Sequence, residues 1–263
     1  MTGEPCLEIR NIELSFGGVV AVDVTEIAVD RGSIVALIGP NGAGKTTLFN
    51  VITGFQRPDS GTWLFEGQDV SGRSAFALAR AGMVRTFQTA RVFPRLTVLD
   101  NVVMAAQGQR GELLRSALLH WRWRGEEAQH EARARELIGW AGLGDKTDDF
   151  AGTLSGGQRK LLELARAVMC APTLLMLDEP MAGVNPALRQ ALLAKITELP
   201  SQGITVMFVE HDMDVVSAIS DSIVCMAEGR VISVGTPAEV AADPRVVEAY
   251  LGRSSADLRR MDQ

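Results

Sequence analysis

Gly39-Pro40-Asn41-Gly42-Ala43-Gly44-Lys45-Thr46, followed by Thr47, fits the spacing G-x-x-x-x-G-K-[ST] of a phosphate-binding loop. Glycines at 39, 42 and 44 let the backbone turn where a Cβ would obstruct it and bring its N–H groups close to an anion. A helix beginning near Lys45 points the positive end of its dipole at the same anion. Lys45 is expected to reach the β- and γ-phosphates of a nucleotide, and the Thr46 hydroxyl to ligate Mg²⁺. Further on, Leu174-Leu175-Met176-Leu177 runs into Asp178-Glu179. A carboxylate at such a strand end supports Mg²⁺, the expected part of Asp178. Glu179 beside it is placed to polarise an attacking water as general base. Pro180 then stops the strand.

Leu154-Ser155-Gly156-Gly157-Gln158 opens a second helix. Ser155 is an N-cap residue type, and Gly156 and Gly157 expose backbone N–H groups at the helix start. One triphosphate does not easily need two anion-binding helix ends from one subunit. The economical expectation is that this second end meets the γ-phosphate held by another subunit.

The elements that position these groups are legible as patterns. Ile34-Val35-Ala36-Leu37-Ile38 reads as a buried strand, and residues 47–52 carry apolar residues at helical spacing, so the order is strand, glycine loop, helix. Leu7-Glu8-Ile9 and Ile12-Glu13-Leu14 alternate as half-buried strands do, with a turn at Phe16-Gly17-Gly18 and a β-rich stretch over 19–29. Pro58-Asp59-Ser60-Gly61 predicts a turn into a strand and hairpin over 62–67. Residues 74–81 read as a helix and Val84-Arg85-Thr86-Phe87-Gln88 as a short strand. From about 90 to 154 the pattern is helical, with a capping-type start at Thr97 and a stripe of Ala128, Ala132, Leu137 and Ile138 over 126–141. The apolar runs 174–177, 204–209 and 222–226, separated by helical patterns, predict a parallel sheet. Residues 107–125 are polar and basic, with Trp121 and Trp123 among Arg115, Arg122 and Arg124. They read either as a solvated helix with locally packed Trp side chains or as an interface segment.

The chain has 263 residues, 46% hydrophobic and 22% charged, the composition of ordinary globular material. A net charge of −6 argues against nucleic acid as a partner. Cys6, Cys170 and Cys225 form neither a metal-ligand spacing nor a disulfide framework, and are expected as free thiols in a reducing cytosol. The first residues lack the pattern of a signal peptide, and no apolar run reaches the ~18 residues of a membrane span.

With the phosphate loop, the LSGGQ stretch and the Asp178-Glu179 strand end in this order, nearly the whole chain resembles the nucleotide-binding subunits of ABC transporters. The resemblance implies an α/β fold: a RecA-like phosphate-loop ATPase core, an N-terminal antiparallel β portion and an inserted α-helical lobe. It makes Gln88 the Q-loop glutamine, sensing Mg²⁺ and the membrane subunits. It makes His211, in Val209-Glu210-His211-Asp212, the switch histidine contacting the γ-phosphate. It offers Phe16 as the aromatic that stacks on adenine, with a core position as the alternative. It also implies a head-to-tail dimer sandwiching two ATP, each between one subunit's phosphate loop and the other's signature, formed with itself or with a related second ATPase.

The layout expected is one ABC ATPase domain, with 1–88 and 158–252 as catalytic core, 89–157 as inserted helical lobe and 253–263 as a tail. Asn185 stands where the superfamily commonly has an aspartate. Ala182-Gly183-Val184-Asn185-Pro186, the Ser15-Phe16-Gly17-Gly18 start, Glu210-His211-Asp212-Met213-Asp214-Val215-Val216 and the close from Gly235-Thr236-Pro237 to Tyr250-Leu251-Gly252 together resemble branched-chain amino acid importers, and the piece around 107–125 resembles their larger ATPase subunit. The implied setting is the cytoplasmic face of the cell membrane, against permease subunits served by a substrate-binding protein. Related ATPases serve urea import and lipopolysaccharide export. Soluble ABC ATPases of DNA repair or translation usually fuse two such units or carry long coiled-coil insertions, for which the 65 residues between Gln88 and Leu154 leave no room. A GTP-binding switch would need Asn-Lys-x-Asp, and Asp145-Lys146-Thr147-Asp148 begins with the wrong residue.

Overall fold

Three short strands buried at every position, with their neighbours, build the sheet that carries the phosphate loop. In the computed structural model, which describes residues 5–87, 91–106 and 124–250, β3 (Ile34–Ile38), β7 (Leu174–Asp178) and β8 (Thr205–Val209) are buried at every position. Strands covered on both faces read as continuous apolar runs, which is why the three runs were legible. They join β6 (Met83–Arg85), β9 (Ser222–Ala227) and β10 (Arg230–Gly235) in a six-stranded sheet of order β10-β9-β3-β8-β7-β6. All neighbouring pairs are parallel except β10 with β9. Because β3, β8 and β7 are adjacent and parallel, the loops leaving their carboxyl ends emerge side by side, where ligands of open α/β sheets bind.

A second, antiparallel sheet has the order β2-β1-β4-β5, from β1 (Leu7–Phe16), β2 (Val19–Val29), β4 (Ser60–Phe65) and β5 (Gln68–Asp69). The two alternating stretches at 7–9 and 12–14 are one strand, β1, whose pairing shifts register twice. A single core joins this sheet to the first through Leu7, Ile9, Val24, Trp63, Val35, Leu37 and the inner face of α1 (Lys45–Ile52), including Phe49. The chain divides into two compact units, and these strands with α1 belong to the unit made of 1–85, 173–180 and 196–263.

The other unit, 86–172 with 181–195, is helical. In it α3 (Val98–Val103), α4 (Arg124–Trp140) and α5 (Gly156–Met169) pack on one another. The buried face of α4 is Ala134, Leu137 and Ile138, whereas Ala128 and Ala132, expected on that stripe, are exposed. Asn101 is buried but satisfied: its side chain accepts from the Phe93 N–H at 2.8 Å and donates to the Phe93 and Thr97 carbonyls. Among the described residues no helix is long and apolar enough to cross a membrane. The cysteines are free; burial pushes the Cys6 thiol up to about 12 and the Cys225 thiol to about 11, so neither is a ready nucleophile. Residues 107–123 of the Trp/Arg stretch 107–125, Gln88 and the tail 253–263 lie outside the described residues.

Candidate functional site

The loop between β3 and α1 takes its shape from glycines that nothing larger could replace. Gly39 has φ 147°, and a Cβ there would lie 2.1 Å from the Met226 carbonyl oxygen. Gly44, at φ 97°, would bring one within 2.4 Å of the Ala21 carbonyl oxygen. Gly44 is also the N-cap of α1, and no side chain caps that helix. No side chain takes its first N–H groups, as suits a helix start that meets an anion. Lys45 is 6% exposed and folds over its own loop, its Nζ donating to the Gly39 carbonyl at 2.7 Å and the Pro40 carbonyl at 3.1 Å.

Asn41, Gly42, Ala43, Gly44, Lys45, Thr46 and Thr47 line a cavity of about 160 Å³ together with Glu179 and His211. An uncapped helix start, a buried ammonium and a cavity of this lining fit the phosphates of a nucleotide. Glu179 follows β7 with φ 47°, a left-handed backbone that a non-glycine residue adopts at a cost of about 1–3 kcal/mol. Its N–H donates to the Val209 carbonyl at the end of β8, which anchors the turn. His211, in the loop after β8, is held from both sides. The Glu210 carboxylate accepts its backbone N–H, and Asp212 caps α7 (Met213–Ile219). His211 Nε2 lies 2.8 Å from Glu179 Oε1; the carboxylate accepts, so this nitrogen carries the proton. The histidine expected to face the γ-phosphate is thus paired to the expected general base.

Asp178, the last residue of β7, is not among the cavity's lining residues. Its Oδ2 accepts from Arg85 Nη2 at 2.7 Å, with both side chains more than nine-tenths buried. Among the described residues no three carboxylate, imidazole or thiol groups converge into a metal cage. Mg²⁺ is bound through one or two protein oxygens together with water and substrate phosphates, so it needs no such cage. The Asp178 carboxylate and the Thr46 hydroxyl are the donor types that could serve it, Thr46 at the cavity and Asp178 at the end of β7. Phe16 closes β1 half-exposed, at 51%, which removes the alternative of a core position.

Ser155, Gly156, Gly157 and Gln158 belong to the helical unit, at the start of α5. They form a capping box: the Ser155 hydroxyl accepts from the Gln158 N–H, and the Gln158 side chain accepts the Ser155 N–H at 2.9 Å. Gly157 is needed for space, since a Cβ would fall 2.5 Å from Leu188 Cδ1. Asn185, where an aspartate is common, accepts the Leu188 N–H at 3.0 Å as the cap of α6 (Pro186–Glu198). Sequence reasoning passed over Arg85; a lone cation within an apolar strand pattern was the available signal, because such a group is seldom buried unpaired.

The family profile described as ABC transporter matches residues 22–182, and that described as branched-chain amino acid ATP-binding cassette transporter matches 230–256. The probable branched-chain amino acid transport ATP-binding protein LivG of Archaeoglobus fulgidus is 39% identical over 252 residues, covering 96% of this chain and 97% of that protein. The high-affinity branched-chain amino acid transport ATP-binding protein BraF of Pseudomonas aeruginosa is 38% identical, over 95% of this chain and 99% of its own. The crystal structure of the ADP conformation of an ATP-binding cassette of an ABC transporter superposes with a TM-score of 0.82 at 38% identity, covering 95% of this chain and all of that one. A nucleotide-free cassette gives 0.80 at 36% identity, over 94% of this chain and 98% of that one. Motif order, sheet topology and these likenesses agree: the chain belongs to the ABC transporter family, as an ATP-hydrolysing ATP-binding cassette.

Proposed function

We propose that this chain energises the uptake of branched-chain amino acids from the cytoplasmic face of the cell membrane. The observation that carries the catalytic part is the Glu179–His211 pair at 2.8 Å beside the phosphate loop. In this reading the loop amides at 39–44, with Lys45, bind the β- and γ-phosphates, and Phe16 stacks on the base. Glu179 takes a proton from the attacking water, and His211 orients Glu179 and then turns to the γ-phosphate. Thr46 and Asp178, with Gln88, hold Mg²⁺, which when bound neutralises charge on the transferring phosphoryl group. Ser155, Gly156, Gly157 and Gln158 serve the nucleotide of a second ATPase subunit, identical or related. Segment 89–157 acts as the inserted helical lobe between the two parts of the core.

The solute is read from relatives whose names specify branched-chain amino acid transport. Permease subunits, a second ATPase and, through the permease, a substrate-binding protein are the partners expected. The test is capture of the tagged chain from mildly solubilised membranes of its own source. Multi-span permeases recovered with a binding protein for leucine, isoleucine or valine would support the importer. Recovery with ribosomes or nucleic acid and no membrane protein would sink it.

A further inference from the structure

Arg85 is the side chain at which three parts of the core meet. It sits at the carboxyl end of β6, shortly before Gln88 in sequence, yet its guanidinium points to other elements. Nη2 donates to Asp178 Oδ2 at the end of β7, while Nη1 donates to Asn50 Oδ1 at 2.7 Å and Thr53 Oγ1 at 3.2 Å. Asn50 lies within α1 and Thr53 caps its carboxyl end. The Phe49 and Phe55 rings lie 5.6 and 5.9 Å from the guanidinium carbon. The group is 5% exposed, so it is desolvated and rigidly placed.

Two features make this more than a filled space. The planar fork fixes direction as well as charge, so Asp178 is held by one oxygen at a set angle, which a lysine's single ammonium would not do. The same fork grips the far end of the helix whose near end forms the phosphate loop. A shift of α1 on occupation of that loop is therefore felt at Asp178 through a single side chain. Among the described residues Arg85 is the one side chain that bonds the Asp178 carboxylate, so its orientation there rests on Arg85.

We propose that Arg85 is a positioning residue for the metal–nucleotide site, orienting the Asp178 carboxylate toward Mg²⁺ and locking it to α1. This rests on the reading of Asp178 as a metal-supporting carboxylate. Outer residues that orient a metal ligand are typically worth 10–100-fold in metal affinity. The experiment is calorimetric titration of the full chain with adenylyl imidodiphosphate, in Mg²⁺ and in EDTA, for wild type, Arg85→Met and Arg85→Lys, with melting temperatures recorded without nucleotide. The expected result is that Mg²⁺ tightens binding to wild type, that this tightening falls by about 10–100-fold in Arg85→Met and by less in Arg85→Lys, and that affinity in EDTA stays unchanged. Should Arg85→Met not fold, because Asp178 is left buried and unpaired, Arg85→Lys decides. Undiminished tightening in the folded variants overturns the proposal. So does a matched loss of affinity in Mg²⁺ and in EDTA with a lowered melting temperature, the mark of a purely structural arginine. A wild type whose binding ignores Mg²⁺ overturns it too, and then the metal reading of Asp178 is what has failed.

Discussion

Two helices of this chain begin on glycine-rich sequence, and they differ in how their first amides are satisfied. At α1 the N-cap is Gly44 and no side chain caps the helix. At α5 the Ser155 hydroxyl and Gln158 side chain close a capping box. The helices α2 (Ala75–Arg80), α3, α7 and α8 (Pro237–Ala242) are likewise capped, by Ser74, Thr97, Asp212 and Thr236. A helix start is an open anion site only to the extent that the chain does not satisfy its own amides. By that measure α1 is built around something outside the protein, whereas α5 is self-sufficient at its third amide and offers the Gly156 and Gly157 end. Glycine serves a different need at each: at α1 a backbone shape, at α5 a gap under Leu188.

The largest effect expected separates holding phosphate from attacking it. Glu179→Gln keeps the α1 start and Lys45 intact but removes the proton acceptor beside His211. Hydrolysis should slow by about 10²–10⁴-fold while ATP binding persists, measured by phosphate release and nucleotide titration. Unchanged turnover would remove Glu179 from the role. Next comes Gly44→Ala, which sets a Cβ against the backbone oxygen of Ala21 at φ 97°. Backbone strain alone is worth about 1–3 kcal/mol, and nucleotide affinity should fall with stability. At α5 the matching change, Gly157→Ala, meets a side chain instead of a backbone oxygen, Leu188, with its Cδ1 at 2.5 Å and its Cβ at 3.0 Å. Overpacking of this kind costs about 1–3 kcal/mol, with nucleotide affinity of the isolated chain untouched. Positive coupling with Leu188→Ala in a double-mutant cycle would place the cost at that contact. An equal loss of affinity in both glycine variants would erase the distinction between the two starts.

Much of this was legible because the relevant signals are local. The run at 34–38 with the glycine spacing at 39–44, and the run at 174–177 with the acids at its end, are each contained within about ten residues, and period and spacing report them directly. Phe16 could not be placed by pattern, since an aromatic at a hairpin's end is as apt to be buried as exposed; the structure leaves it half-exposed. Ala128 and Ala132 misled because alanine is at home on either face of a helix, while Ala134 was the one buried. The Glu179–His211 pair spans 32 residues and the Arg85–Asp178 pair spans 93. Contacts of that separation are set by strand order, which residue types alone do not report.

The smallest expected effect is the one that decides what the α5 start is for. If Ser155 only caps its helix, Ser155→Ala costs about 0.5–2 kcal/mol of stability, visible in thermal unfolding, and nothing else changes. Ser155→Asp should then be silent, because aspartate caps as well as serine does. If the same end also meets the γ-phosphate held by a second subunit, Ser155→Asp acquires a signature of its own. Its stability stays near wild type, but the added carboxylate faces a phosphate of like charge, and ATP-driven dimerisation in a Glu179→Gln background should fail. Sedimentation with and without ATP reads that directly. A Ser155→Asp chain that dimerises normally would leave α5 a capped, well-packed helix and confine nucleotide recognition to the α1 side of the comparison.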